Sequence, residues 1–267
     1  MCTLAIYFQT SPQWPMVVAA NRDEFLDRPA SDPTTLSEDP CIVGGKDLRA
    51  GGTWLGINEY GVVAGLLNRR AATGVNPEAR SRGLLCLDAL KQRTAMEAAH
   101  YARSQRGNDY NPFNLLIASR EDAWVAYDRA GQIELVRLAP GLHMLTNLDL
   151  DDFECPRISR AYERFAELGG RDGFRRDPVA MRSALGALLA DHNTELDSRI
   201  DSAAGARPNS LCLHLGRYGT RSSSMIFMGA APDTVAHFFA PGPPCQTGYA
   251  PAVIPSRTAA AHRQGPR

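Results

Sequence analysis

Cysteine stands at position 2, directly after the initiator methionine, and the run Asn21-Arg22-Asp23-Glu24 follows a short way downstream. Methionine is usually trimmed when the next side chain is small. Trimming would leave Cys2 with a free α-amine beside its own thiol. Nucleophile and base then belong to one residue, the arrangement found where an N-terminal amine activates the attacking group. An α-amine titrating near ~7.7–8.0 is well placed to take a proton from a thiol near ~8.5. Position alone favours a cysteine that merely begins a strand, so the surrounding pattern has to decide.

Other chemistries lack their patterns. There is no G-x-G-x-x-G, Walker-type loop, G-x-S-x-G or H-E-x-x-H. The six histidines (100, 143, 192, 214, 237, 262) are scattered without an i,i+4 pair, and read as surface or satisfied core residues rather than metal ligands. The six cysteines (2, 41, 86, 155, 212, 245) contain no C-x-x-C and read as neither a disulfide framework nor a zinc site. The expectation is no metal and no required cofactor. Asn147-Leu148-Asp149-Leu150-Asp151-Asp152 opens like a calcium loop, but Asp152 stands at the glycine position and Ile158 at the bidentate-glutamate position. Cys155-Pro156 keeps a haem contact open as a weak alternative.

Bulk composition sets the class. The 267 residues are 44% hydrophobic and 22% charged, enough to bury a large core. Twenty-nine basic and 29 acidic side chains cancel, so no electrostatic footprint argues for nucleic acid. Thr3 to Phe8 is too short for a signal-peptide core, and no run reaches the ~18 apolar residues of a membrane span. A reducing, cytoplasmic compartment is expected.

The elements that must position Cys2 follow from pattern. Leu4–Phe8 and Met16–Ala20 are short apolar runs flanking a Pro-containing turn, and read as paired strands that return Asn21, Arg22 and Asp23 beside the chain start. Successive strand side chains point to opposite faces, so Arg22 and Asp23 cannot both face Cys2: either a bulge or the strand end re-aims one of them, or Asn21 and Asp23 share the working face. Residues 28–41 read as a Pro-rich loop. Gly-dense strands are expected at 51–58 and 61–68, with a turn at Glu59-Tyr60. Helices follow over 84–90 and 95–103, then strands at 114–118, 123–127, 133–138 and 143–146. Helices resume at 158–168 and at 178–190, the latter opened by Asp177-Pro178. Strands at 211–215, 223–228 and 235–239 finish the fold, and the tail from Pro241 reads as disordered. Blocks of strands and helices in this order predict packed sheets with helices outside, not alternating βαβ units.

Met1-Cys2, Asn21-Arg22-Asp23-Glu24, Gly51-Gly52-Thr53-Trp54-Leu55-Gly56, Leu67-Asn68, Thr146-Asn147 and Tyr218-Gly219-Thr220-Arg221-Ser222-Ser223 together resemble the NRDE family, also called the transport and Golgi organisation protein 2 family. The likeness covers residues 1 to about 240. That family is in turn similar to N-terminal-nucleophile hydrolases of the penicillin V acylase and bile-salt hydrolase type. The resemblance implies an α+β fold, a four-layer αββα sandwich of two antiparallel sheets flanked by helices, over residues 1–240. It also implies roles. Cys2 would be the nucleophile, Arg22 would hold down its thiolate pKa, and Asp23 would orient the α-amine. Asn68 and Asn147 would act as oxyanion donors and Arg221 would complete the site. Asparagine also suits turns, and Arg22-Asp23 also suits a local ion pair. In the acylases the arginine and aspartate are separated along the chain, whereas here they are adjacent. A Trp-Pro common in the family after the Asn147 region is Cys155-Pro156 here. Family members have been connected with haem trafficking and with lipid or acyl-CoA metabolism. The resulting expectation is an amide, ester or thioester acyl hydrolase, with a non-catalytic haem or acyl-CoA carrier as the alternative. A scaffold with partner-binding loops has only the 28–41 segment behind it.

Overall fold

The computed structural model describes residues 2–69, 74–129, 131–171, 177–192 and 210–255, with a short strand pair at 196–197 and 207–208. The amino-terminal half contains strands β1 (Thr3–Phe8), β2 (Met16–Phe25), β3 (Thr34–Glu38), β4 (Cys41–Lys46), β5 (Thr53–Asn58) and β6 (Val63–Asn68), then helices α1 (Arg82–Ala89) and α2 (Ala95–Ser104). Strands β7 (Phe113–Ala118), β8 (Ala123–Arg129), β9 (Gln132–Arg137) and β10 (Gly141–Leu145) lead into α3 (Pro156–Gly170) and α4 (Pro178–Leu189). The remainder is β11 (Leu196–Asp197), β12 (Arg207–Pro208), β13 (His214–Leu215), β14 (Tyr218–Met228), β15 (Val235–Ala240) and β16 (Ala250–Pro251).

Two large antiparallel sheets result, besides the two-stranded pair β11-β12. One has the order β10-β1-β2-β14-β15-β16, with β13 paired to β14; the other is the sequential meander β3 to β9. Apolar residues on both faces of β1 explain its unbroken Leu-Ala-Ile-Tyr-Phe run. Leu4 and Ile6 pack with Leu55, Ile57, Val63 and Leu116 in the layer between the sheets. Ala5 and Tyr7 face the other way, against Ile158, Phe165, Met181 and Leu185 of α3 and α4. On the far face of the second sheet, Leu85, Leu90, Ala98 and Ala102 of α1 and α2 and their flanks cover Leu115 and Ile117. The three apolar layers make the αββα sandwich. Each fully buried large apolar side chain contributes about 1.5–3 kcal/mol.

The helix starts follow from their caps. Asp177 accepts a hydrogen bond from the Val179 amide at 2.9 Å, with Pro178 in the first turn of α4. Thr94 does the same for α2, accepting from Glu97 N at 3.1 Å.

Three expectations need correction. Residues 28–41 are not wholly loop: Thr34–Glu38 is an edge strand, held by backbone pairing to β4 that its polar sequence does not advertise. The segment 211–215 is a strand only at His214–Leu215. The tail after Pro241 is ordered to residue 255; β16 pairs with β15, and Tyr249 Oη lies 2.7 Å from Ser223 Oγ. Residues 256–267 lie outside the described residues.

Candidate active site

The register of β1 against β2 pairs Thr3 with Asn21, so one further step sets Cys2 opposite Arg22. Both share the inter-sheet face. The Asp23 backbone amide donates to Cys2 Sγ at 3.3 Å, and the thiol sits 3.5 Å from the Asp23 carbonyl. The Arg22 guanidinium lies 4.3 Å above the Trp54 ring and 3.8 Å from Asp47, fixing it in a buried position by stacking as well as charge. Gly45 is what lets Trp54 lie there: a Cβ on it would come within 2.2 Å of the indole ring.

Cys2 opens onto a cleft of about 360 Å³, walled by Arg22, Trp54, Asn68 and Arg82 among others. Behind it, Ser222 and Ser224 of β14 border a void of about 20 Å³, room for one water. The Ser222 hydroxyl is buried without a hydrogen-bond partner.

Strand alternation divides the Arg22-Asp23 pair. Asp23 turns to the helix side, where Thr220 Oγ1 donates to Oδ1 at 2.7 Å and Arg157 Nη2 lies 3.8 Å from Oδ2. Arg157, 1% exposed, also donates to Thr3 Oγ1 at 2.8 Å. Arg22 and Asp23 keep the ordinary alternation of β2, and the register irregularity lies instead in β14, between Thr220 and Ser222. Asp23 therefore meets the sulfur through its backbone and braces β1, β14 and α3 through its carboxylate.

The other expected residues are dispersed. Asn68, at the exposed end of β6, lines the same cleft as Cys2. Asn147 lies two residues beyond the end of β10, past the last β1–β10 pair, and is not among the residues that line the cleft. Its Oδ1 is buried without a hydrogen-bond partner. Asn114 holds that loop, donating to the carbonyls of Thr146 (2.8 Å) and Leu148 (2.5 Å). Arg221 occupies the bulge and donates to the Pro241 carbonyl at 3.3 Å, on the side of β15 and away from the cleft wall. Cys155 is buried in the α3 core layer, directly ahead of Pro156 in that helix's first turn. The residue is 2% exposed.

Electrostatics also revise an expectation. Burial pushes the Cys2 thiol above its ordinary value, and the Asp23 carboxylate adds to this; the Arg22 pull in the other direction is outweighed. Arg22 itself is lowered, chiefly by burial.

Arg157, Asn114 and Trp54 escaped the sequence reading as site residues. Arg157 and Asn114 sit in an amphipathic helix and an apolar strand, where nothing distinguishes them from surface or turn residues. Trp54 lay inside the quoted Gly-Gly-Thr-Trp motif without an assigned role.

Solved structures share this frame. An N-acylethanolamine-hydrolyzing acid amidase ortholog from Caenorhabditis elegans superposes with a TM-score of 0.55 at 15% identity, covering 87% of this chain and 95% of that one. Penicillin V acylase from Agrobacterium tumefaciens gives 0.54 at 14% identity, covering 90% and 83%. The C2A conjugated bile acid hydrolase from Clostridium perfringens gives 0.53 at 9% identity, covering 95% and 97%. The fold is that of the N-terminal-nucleophile hydrolases. Residues 1–236 match the family model Transport and Golgi organisation 2, and the chain belongs to that family. The Bos taurus Transport and Golgi organization protein 2 homolog is 32% identical over 257 residues, covering 86% of this chain and 89% of its own. The Homo sapiens homolog is 28% identical over 252 residues with the same coverage.

Proposed function

We propose that the protein is an acyl hydrolase for amides, esters or thioesters, acting through Cys2 as N-terminal nucleophile. The observation that carries this reading is the Cys2 sulfur opening onto the cleft beside a stacked, buried Arg22. Removal of Met1 frees the α-amine, which takes the thiol proton that burial otherwise retains. The sulfur attacks the acyl carbon and the tetrahedral oxyanion collapses. The bond to the leaving group breaks, and the amine returns its proton to that group. Water then attacks the thioester, the same amine accepts the water's proton, and a carboxylic acid leaves as the thiol re-forms. Asn68 and Asn147 are the side-chain candidates for oxyanion donors, a role worth about 3–4 kcal/mol of barrier per donor. The fold neighbours are named for hydrolysing or cleaving acyl groups, which supports the same reaction class.

Arg22, Arg28, Arg49 and Arg82 all border the cleft, against Asp23, Glu24 and Asp47. This surplus favours a substrate carrying an anionic group near its scissile bond. The same arginines support the second reading, a carrier of acyl-CoA-like ligands. The two separate on one experiment: an activated acyl donor forms an adduct on wild type that Cys2→Ala lacks if the protein is catalytic. Ligand binding unchanged in Cys2→Ala, with no adduct on wild type, supports the carrier. Equal labelling of wild type and Cys2→Ala counts against a reactive Cys2.

A further inference from the structure

Some distance along sheet one, a second group of chemistry-bearing side chains converges. His192 follows α4, Cys212 and His214 precede β14, and Cys245 follows β15. One ligand atom from each lies within 4.8 Å of all the others. Cys212 Sγ is 3.6 Å from Cys245 Sγ and 3.8 Å from His214 Nε2, and that Nε2 is 3.2 Å from Cys245 Sγ. With Zn–S near ~2.3 Å and Zn–N near ~2.0–2.1 Å, the edges of a tetrahedron come to about 3.8 Å between sulfurs and about 3.5 Å between sulfur and nitrogen. We infer that His192, Cys212, His214 and Cys245 form a closed, tetrahedral structural zinc site.

The expectation of no metal rested on spacing along the chain, and spacing is what fails here. The ligands stand 20, 2 and 31 residues apart in sequence order and are gathered only by the packing of α4, β14 and β15. The donor set suits the ion: two thiolates balance a divalent charge, and two imidazoles complete the borderline-soft set that zinc takes. As the ion binds, each thiol gives a proton to solvent. The surrounding frame is built to hold the ligands. Cys212 N donates to the Asp191 carbonyl at 3.0 Å, tying the His192 turn to the Cys212 segment. The Asp191 carboxylate is gripped by Arg160 at 2.6 Å and by Arg164. Cys212 is buried, whereas His192, His214 and Cys245 are exposed, so the ion has a path from solvent.

The site is wired to the nucleophile. Leu211 O, next to Cys212, accepts from Asn21 Nδ2 at 2.9 Å. Leu213 on its other side exchanges bonds with Thr220, N to Oγ1 at 2.9 Å and O to N at 2.9 Å. Thr220 in turn holds Asp23. A zinc ion would thereby fix both β2 residues that flank Arg22. This inference does not depend on Cys2 chemistry.

The full chain, loaded with zinc and passed through a desalting column containing a weak chelator, should retain about one zinc per chain. Cys245→Ser and His214→Ala alter exposed ligands, so they should fold; each should lower retained zinc at least ~tenfold. Cobalt exchanged into wild type should give the visible bands of a tetrahedral S₂N₂ site. Cys2→Ala should keep its zinc, which separates this site from the proposed catalysis. Substoichiometric zinc in wild type, equal retention in Cys245→Ser, or a Cys212–Cys245 disulfide in the zinc-loaded chain would each overturn the assignment.

Discussion

At the Cys2 sulfur, burial and the Asp23 carboxylate keep the proton on, while the positive N-terminus, the Asp23 amide hydrogen bond and Arg22 draw it off. Replacing Arg22 with Gln removes the one side chain among those that favour the thiolate. The pH profile of Cys2 alkylation should then move to higher pH, with labelling slowed several-fold at neutrality; an unmoved profile would mean Arg22 is only packing on Trp54. Arg157 is a different case. Its guanidinium and the Asp23 carboxylate are both sealed inside, and removing one member of such a pair costs about 3–5 kcal/mol. Arg157→Met should therefore lower Tm by roughly 10 °C in thermal unfolding. His143 offers a pH test. Burial lowers it, but the hydrogen bonds with Asp151 (2.7 Å) and the Ala139 carbonyl (2.8 Å) win and leave it raised. A raised folded value means its stabilisation is whole below the unfolded value near ~6.5 and is lost as pH rises through the folded one. The Tm advantage of wild type over His143→Gln should shrink from about pH 6 to about pH 8.

Elements place these residues with little room to spare. Gly52 and Gly83 cross where β5 approaches the first turn of α1, and a Cβ on Gly52 would stand 2.0 Å from the Gly83 carbonyl carbon. Backbone cannot swing aside like a side chain, so Gly52→Ala should cost about 1–3 kcal/mol and deform the Ser81–Gly83 wall of the cleft. Gly170→Ala, with nothing within 4 Å of the new methyl, should leave Tm unchanged or slightly higher. Strand alternation was legible from sequence, and it correctly forbade Arg22 and Asp23 from facing Cys2 together. Which of the two would turn away was not legible. That depends on Trp54 offering a ring on one face and Arg157 and Thr220 offering partners on the other. Arg221 shows the same limit: a bulge shifts its direction toward Pro241, and bulges leave no mark in composition.

For the whole molecule, the layered architecture was readable because periodicity and segment order are local properties. The edge strand at Thr34–Glu38, the ordered tail to residue 255 and the His192/Cys212/His214/Cys245 cluster were not. Each exists only through a neighbour distant in sequence. Among the described residues, no helix is long and apolar enough to cross a membrane. Two apolar layers against helices and one between sheets make a frame stiff enough to hold a buried thiol beside a cleft. The most direct test of the account is the intact mass of the protein purified from its own host, before and after exposure to an activated acyl donor. The account predicts a chain lighter than the full sequence by one methionine, which then gains a single acyl group on Cys2. A chain that keeps Met1 would contradict it, because Cys2 would then carry an amide nitrogen and no base.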